Sequence, residues 1–184
     1  MDHFESLIKT LLEHENWWVQ QSYKVELTIE ERTIVGRPTM PRPEIDLLAF
    51  KHCENEVTAF EVKSFLDTAG VVWNEINIEQ DPPPEGRYKL FTCPIYRNVV
   101  FERLQRQLIE RGMANEQTTI RLGLAAGKVA QQRNQDNVEN IANYFNEKGW
   151  VFWSPSEIRE KLELLADTPY SNNPFVIAAK VLRQ

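Results

Sequence analysis

The sequence predicts one mixed α/β domain: a helix, three strands, then helices and strands in alternation. Three observations carry this. Phe4, Leu7, Ile8, Leu11 and Leu12 recur at helical spacing. Three runs rich in aromatic and β-branched residues follow within the first 63 positions. Beyond position 97, two long amphipathic stretches each precede or follow a short apolar run. The 184 residues suit a single domain with a full core.

The elements follow in order. Asp2 stands before the first helix with Glu5 three residues on, the spacing of a capping box. "WWVQQSYKVELTI" reads as a strand and "EERTIVGRPTMPRP" as a polar turn region with three prolines. "EIDLLAF" and "VTAFEVK" read as short strands joined by the polar "KHCENE". Within 64–94, "VVWNEINI" fits helix or strand, while "DPPPEG" must be loop. "NVVFERLQRQLIERG" is a helix with Val100, Phe101, Leu104 and Leu108 inward and Gly112 as its stop. "TTIRLGLAAGKV" reads as a buried strand, "QDNVENIANYFNEKG" as a helix ending at Gly149, and "WVFW" as a short strand. "SPSEIREKLELLA" opens with Ser154 as cap, Pro155 at the first helical position and Glu157 at the third. "NPFVIAAKVL" is a last short helix. The division is a helix and meander over 1–63, a variable insertion over 64–94, and crossover helix, strands and C-terminal helices over 95–184.

Composition narrows the class. Hydrophobic residues make up 42% and charged residues 26%, as in ordinary globular domains. No apolar run approaches the ~20 residues of a membrane span, so no membrane partner is expected. The opening "MDHFESLIKT" is acidic and helical in period, unlike a signal peptide. Cys53 and Cys93 lack CxxC spacing, and a reduced, cytoplasmic setting is the simplest reading. His3, His14 and His52 form no zinc pattern. The net charge of −6 argues against indiscriminate coating of nucleic acid, not against a local basic groove.

The strands carry charges that sheets seldom bury: Asp46, Glu61 and Lys63. A turn centred between Cys53 and Glu54 sets Asp46 opposite Glu61 and Glu44 opposite Lys63. Residues two apart share a face, so these four project together, while Ile45, Leu47, Phe60 and Val62 project into core. Opposed carboxylates repel, and a divalent cation between them reverses the sign. Mg²⁺ takes oxygen ligands, keeps waters and uses one or two carboxylates with substrate phosphate. A lysine alongside holds water and meets developing phosphate charge. The chemistry that needs this set is metal-assisted phosphodiester hydrolysis. The competing reading is a Glu44–Lys63 ion pair with Asp46 and Glu61 on a solvated face. The strands are apolar on the second face and nearly continuous, as in sheets covered on both sides.

"RPEIDLLAF", a polar turn and "VTAFEVKS" resemble the PD-(D/E)XK nuclease superfamily, and within it Holliday-junction resolvases and related small prokaryotic nucleases. The match is close over about the first third of the chain and rests on element order beyond it. The resemblance implies a restriction-endonuclease-like core in αβββαβ order, flanked by helices, with additional C-terminal helices. It implies a Mg²⁺ or Mn²⁺ site from Asp46, Glu61 and the carbonyl of Val62, with Lys63 near the attacking water. It implies a nucleic-acid substrate, DNA ahead of RNA, and a second copy of the chain as a candidate partner. Many members add a first-helix glutamate. Of Glu5, Glu13 and Glu15, only Glu5 lies inside the helix at the edge of its apolar stripe; its rival role is the capping box. Glu44, not aspartate, follows Pro43, which leaves Glu44 as the alternative to Asp46 for the motif acid. A catalytically silent nucleic-acid-binding or adaptor protein on the same fold is the rival function.

Arg32, Arg37 and Arg42, in the loop leading to Asp46, are candidates for a phosphate backbone or are simply solvated. Trp17, Trp18, Trp73, Trp150 and Trp153 are candidates for base stacking, against core packing. "LAAGKV" falls short of a phosphate-binding loop. Ile158, Leu162 and Leu165 pack the C-terminal helix pair on the core more simply than they build a helix-turn-helix reader.

Overall fold

The computed structural model describes residues 2–131, 136–169 and 171–184. The chain runs α1 (His3–His14), β1 (Trp18–Lys24), α2 (Ile29–Ile34), β2 (Glu44–Lys51), β3 (Glu56–Lys63), α3 (Lys89–Thr92), α4 (Pro94–Glu110), β4 (Thr119–Ala126), α5 (Asn137–Glu147), β5 (Val151–Trp153), α6 (Pro155–Leu164) and α7 (Pro174–Leu182). The five strands lie in sequence order in one mixed sheet. β1, β2 and β3 are antiparallel, and β4 and β5 add in parallel after α4 and α5. A parallel neighbour needs a long crossover, which each of these helices supplies. No helix among the described residues is long and apolar enough to cross a membrane.

Helices cover both faces. Leu48 and Phe50 of β2, Val57 and Ala59 of β3, and Leu122 and Leu124 of β4 share a cluster with Val100, Leu104 and Leu108 of α4 and with Ile141 and Phe145 of α5. Leu47, Ala49, Phe60, Val62 and Ala125 point the other way, onto Ile8, Leu11 and Leu12 of α1, Ile158 of α6, and Val176 and Ala179 of α7. Two apolar faces explain the near-continuous apolar runs of β2 and β3. Leu165 is buried and Leu162 packs beside it, so the C-terminal pair serves the core. Gly123 makes room for Phe60: a Cβ there would sit 2.7 Å from its ring.

The hairpin register is the expected one, from Leu47↔Phe60 to Lys51↔Glu56. One face assignment differs. Ile45 joins the α4 side with Tyr23, whereas Leu47 and Val19 lie on the α1 side. The β1–β2 ladder keeps its register across this point, Gln21↔Leu47 and then Tyr23↔Ile45. Between them Ser22 takes φ 54°, a left-handed conformation that L-residues adopt at a cost of about 1–2 kcal/mol. Simple alternation therefore fails between Leu47 and Ile45 of β2 as it does between Val19 and Tyr23 of β1.

Other elements differ in detail. Ile29, expected in the first strand, begins α2, where Thr28 and Glu31 form a capping box. The prolines after it masked that helix. "VVWNEINI" is neither helix nor strand but one bridge, Val71↔Val129, and a 3-10 turn at Trp73–Glu75. α4 starts four residues before the expected stretch, at Pro94, and Gly112 follows its end with φ 69°. Val100, Leu104 and Leu108 are buried, while Phe101 only partly packs on the core. Gln135, the expected opening of the next helical stretch, lies outside the described residues; α5 starts at Asn137, capped by Asp136. Ser154 and Glu157 form the expected capping box.

Candidate active site

The β2–β3 ladder stops at Leu47↔Phe60, one position short of the charges. There the Val62 N–H donates to the Asp46 carboxylate at 2.7 Å. The carboxylate therefore closes the open end of the ladder, and a backbone amide orients it. Glu61 and Lys63 stand two apart on β3 and share a face. The Lys63 ammonium donates to Glu61 at 2.5 Å and lies 3.6 Å from the Asp46 carboxylate. All three side chains are only about one-fifth exposed: 19% for Lys63, 20% for Asp46 and 17% for Glu61.

Glu5 approaches from α1. Asp2 caps that helix by accepting from the Phe4 N–H, but Glu5 does not close a capping box. Its carboxylate instead accepts from the Gln21 side-chain amide at 3.0 Å. Gln21 gave no signal in the sequence; only the α1–β1 packing shows that it reaches Glu5. Glu13 is exposed, and Glu15 pairs with Lys161 of α6.

The electrostatics are those of three acids around one base. Burial pushes the Glu61 carboxyl above its ordinary range; Lys63 opposes this, and the charges of Asp46 and Glu5 add to it. For Lys63, burial pulls the ammonium down, but Glu61 and Asp46 outweigh it and leave it raised. Tyr96 and Tyr88 border the same charge. Their hydroxyls are pushed up to about 12, chiefly by burial, with Glu61 contributing to both and Glu75 to Tyr88.

Glu44 sits exposed at the start of β2, opposite Lys24 of β1. The partners of Lys63 are Asp46 and Glu61. The loop arginines have neighbours of their own. Arg42 pairs with Glu26 at 2.7 Å, Arg37 donates to the Pro84 carbonyl and lies 3.8 Å from Glu85, and Arg32 donates to the Thr28 carbonyl. Trp153 is buried, while Trp18 is 54% exposed and packs on Phe50.

Among the described residues, no three His, Cys, Asp or Glu side chains converge as a metal-binding group. The expected set is smaller: two carboxylates and one carbonyl, the rest being water. That donor set suits a hard, water-retaining cation such as Mg²⁺. Asp46 and Glu61 both lie within 3.6 Å of one cationic nitrogen, in a cluster with more negative than positive charge. The residues present fit the group. Comparison with known proteins adds no relative: no family model, no curated protein and no solved structure matches the chain.

Proposed function

We propose that the chain is a metal-dependent nuclease of the PD-(D/E)XK type on a restriction-endonuclease-like core. Its substrate is nucleic acid, DNA ahead of RNA, and its setting the cytoplasm. The observation that carries the reading is the meeting of Asp46, Glu61 and Lys63 at the open end of the β2–β3 hairpin. The succession α1, β1, β2, β3, α4, β4, interrupted by the short α2 and α3 and with β4 parallel to β3, supports the fold assignment.

Asp46, Glu61 and the Val62 carbonyl would hold Mg²⁺ or Mn²⁺, which supplies charge neutralisation at the phosphate and a more acidic water. The chain's own groups do the rest. The Val62 amide keeps Asp46 aimed across the hairpin end. Lys63 orients the attacking water and offsets the charge that grows on phosphorus-bound oxygen. In a partly buried site that interaction is stronger than in water. Glu5, held by Gln21, brings a third carboxylate from the α1 side. Water adds to phosphorus, a P–O ester bond breaks, and the leaving oxygen takes a proton.

The test is a cleavage assay of the wild-type protein on duplex, single-stranded, branched and RNA substrates with Mg²⁺ and with Mn²⁺. Cleavage of at least one substrate that depends on the metal and on Asp46 is expected. Binding without cleavage of any substrate would replace this reading with that of a silent nucleic-acid-binding protein.

A further inference from the structure

Glu61 and Lys63 share a sheet face with Val57 and Ala59, the face that α4 covers. α4 links β3 to a parallel β4, so it runs back against both strands, and its first turn lies at the end of β3 that carries the two charges. The buried stripe of α4 includes Tyr96, Val100, Leu104 and Leu108. Tyr96 heads that stripe and therefore stands at the charged end. Tyr88, directly before α3, joins the same cluster.

Both tyrosines are packed in, 4% exposed for Tyr88 and 6% for Tyr96. Neither hydroxyl bonds a described residue. Yet neither is sealed: among the described residues, the closed-off polar side-chain atoms without a partner are Tyr23 Oη, Asn137 Oδ1 and Thr168 Oγ1. The little of each tyrosine that solvent reaches therefore includes its hydroxyl. Burial, with the charge of Glu61 adding to it, pushes both hydroxyls up to about 12, so each stays a neutral donor at physiological pH. A donor set in an otherwise apolar wall needs an acceptor.

A cation stands at the same edge. Phe65, two residues past Lys63, takes φ 44°, which a bulky side chain seldom adopts. Its ring lies under the Arg87 guanidinium, 5.7 Å from the centroid. Arg87 is exposed and, among the described residues, has no ion-pair partner. Its chain neighbour is Tyr88. Two O–H donors and one guanidinium fork call for a ligand that offers acceptor oxygens and negative charge.

We infer that Tyr88, Tyr96 and Arg87 form a subsite for a phosphate of the substrate next to the scissile one. The hydroxyls and the guanidinium donate to its oxygens on the α4 side of Lys63 and so set where the strand lies. The inference rests on the nuclease reading for the neighbouring chemistry, but its own claim is phosphate binding.

The experiment is a metal-free titration of a fluorescein-labelled thymidine oligonucleotide at several salt concentrations, on wild type, Tyr96→Phe, Tyr88→Phe, Arg87→Gln and the controls Tyr144→Phe and Arg121→Gln. Tyr144 lies on α5, and Arg121 lies near the other end of β4, paired with Glu56. Tyrosine to phenylalanine keeps the ring and breaks no bond within the chain, so melting midpoints should hold. Losing one donor to a phosphate should weaken binding about tenfold for each tyrosine, at an unchanged salt slope. Arg87→Gln should weaken it and also lower the slope by about 0.7. Both controls should match wild type. In cleavage with metal, Tyr96→Phe should raise the half-saturating substrate concentration by a similar factor and change the rate at saturation less. Wild-type affinity in any of the three variants would overturn the subsite, as would a wild type that binds no oligonucleotide. If the variants weaken binding but wild type cuts nothing with Mg²⁺ or Mn²⁺, the subsite stands and the nuclease reading falls.

Discussion

Replacing Lys63 with methionine keeps the aliphatic stem and removes one charge from a cluster of four. The ammonium lies against two carboxylates that are about four-fifths buried. Removing one partner of a buried ion pair costs about 3–5 kcal/mol, because it leaves uncompensated charge behind. Partial exposure puts this site at the lower end, about 3 kcal/mol near pH 8 in the absence of metal. For a domain of this size that is about 6–12 °C in melting temperature. The loss depends on pH with a definite sign. The Glu61 carboxyl is already raised by burial, and Lys63 is the main charge opposing that rise. The variant therefore raises it further. A raised folded-state value gives stability that is complete below the unfolded value, ~4.3, and is lost as pH climbs through the folded one. The Lys63 contribution in wild type is also raised, so it is lost only above the ordinary lysine range. The gap between wild type and Lys63→Met should thus narrow as pH falls toward the ordinary carboxylate range and Glu61 takes a proton. Mg²⁺ should narrow it at fixed pH. Melting curves of both proteins across this range, with and without Mg²⁺, make the check. A deficit that neither acid nor Mg²⁺ reduces would show that the three groups are not coupled as described.

Other substitutions probe single contacts. Asp46→Asn keeps an acceptor for the Val62 amide, so the fold should survive, while calorimetry should show Mn²⁺ binding lost; heats equal to wild type would remove Asp46 from the site. Wild type should gain about 2.7 kcal/mol at a hundredfold excess of cation over its dissociation constant. Glu5→Gln should lower cleavage with little change in melting, because no capping box depends on it, whereas Glu13→Gln should cut like wild type. A fall in activity matched by equal unfolding would reduce Glu5 to a structural contact. Gly123→Ala should destabilise by about 1–3 kcal/mol through overpacking against Phe60, read by denaturant melts; an unchanged midpoint would mean that the ring moves aside freely.

The sequence was most informative where period and register decide. The polar link around Cys53 and Glu54 set the hairpin frame, and the ladder from Leu47↔Phe60 follows it. The paired cap at Ser154 and Glu157 and the glycine stops at 112 and 149 announced helix ends by local chemistry alone. What escaped was non-local. The left-handed Ser22 has no compositional mark, and beside it Ile45 and Tyr23 lie in the opposite layer from the one alternation gives. Gln21 meets Glu5 only because α1 packs across β1. The Gly127 N–H reaches the Lys63 carbonyl only because β4 lies beside β3, a juxtaposition that no motif spacing encodes. The partners of the site were legible as residue types. The hairpin frame also brought Asp46, Glu61 and Lys63 to one end; that Asp46 accepts from the Val62 amide and that Glu44 stays apart opposite Lys24 was not legible.

Single-turnover cleavage by wild type and Lys63→Ala, run beside a binding titration at one salt concentration and well below both melting points, tests the central claim most directly. A donor that acts mainly in the transition state is worth about 10²–10³ in rate. The account predicts that wild type cuts with Mg²⁺ or Mn²⁺, and that Lys63→Ala binds metal at least as well and nucleic acid nearly as well but cuts slower by about that factor. Cleavage by Lys63→Ala at the wild-type rate would contradict the role given to Lys63, and a wild type that binds substrate yet cuts none with either metal would contradict the enzyme itself.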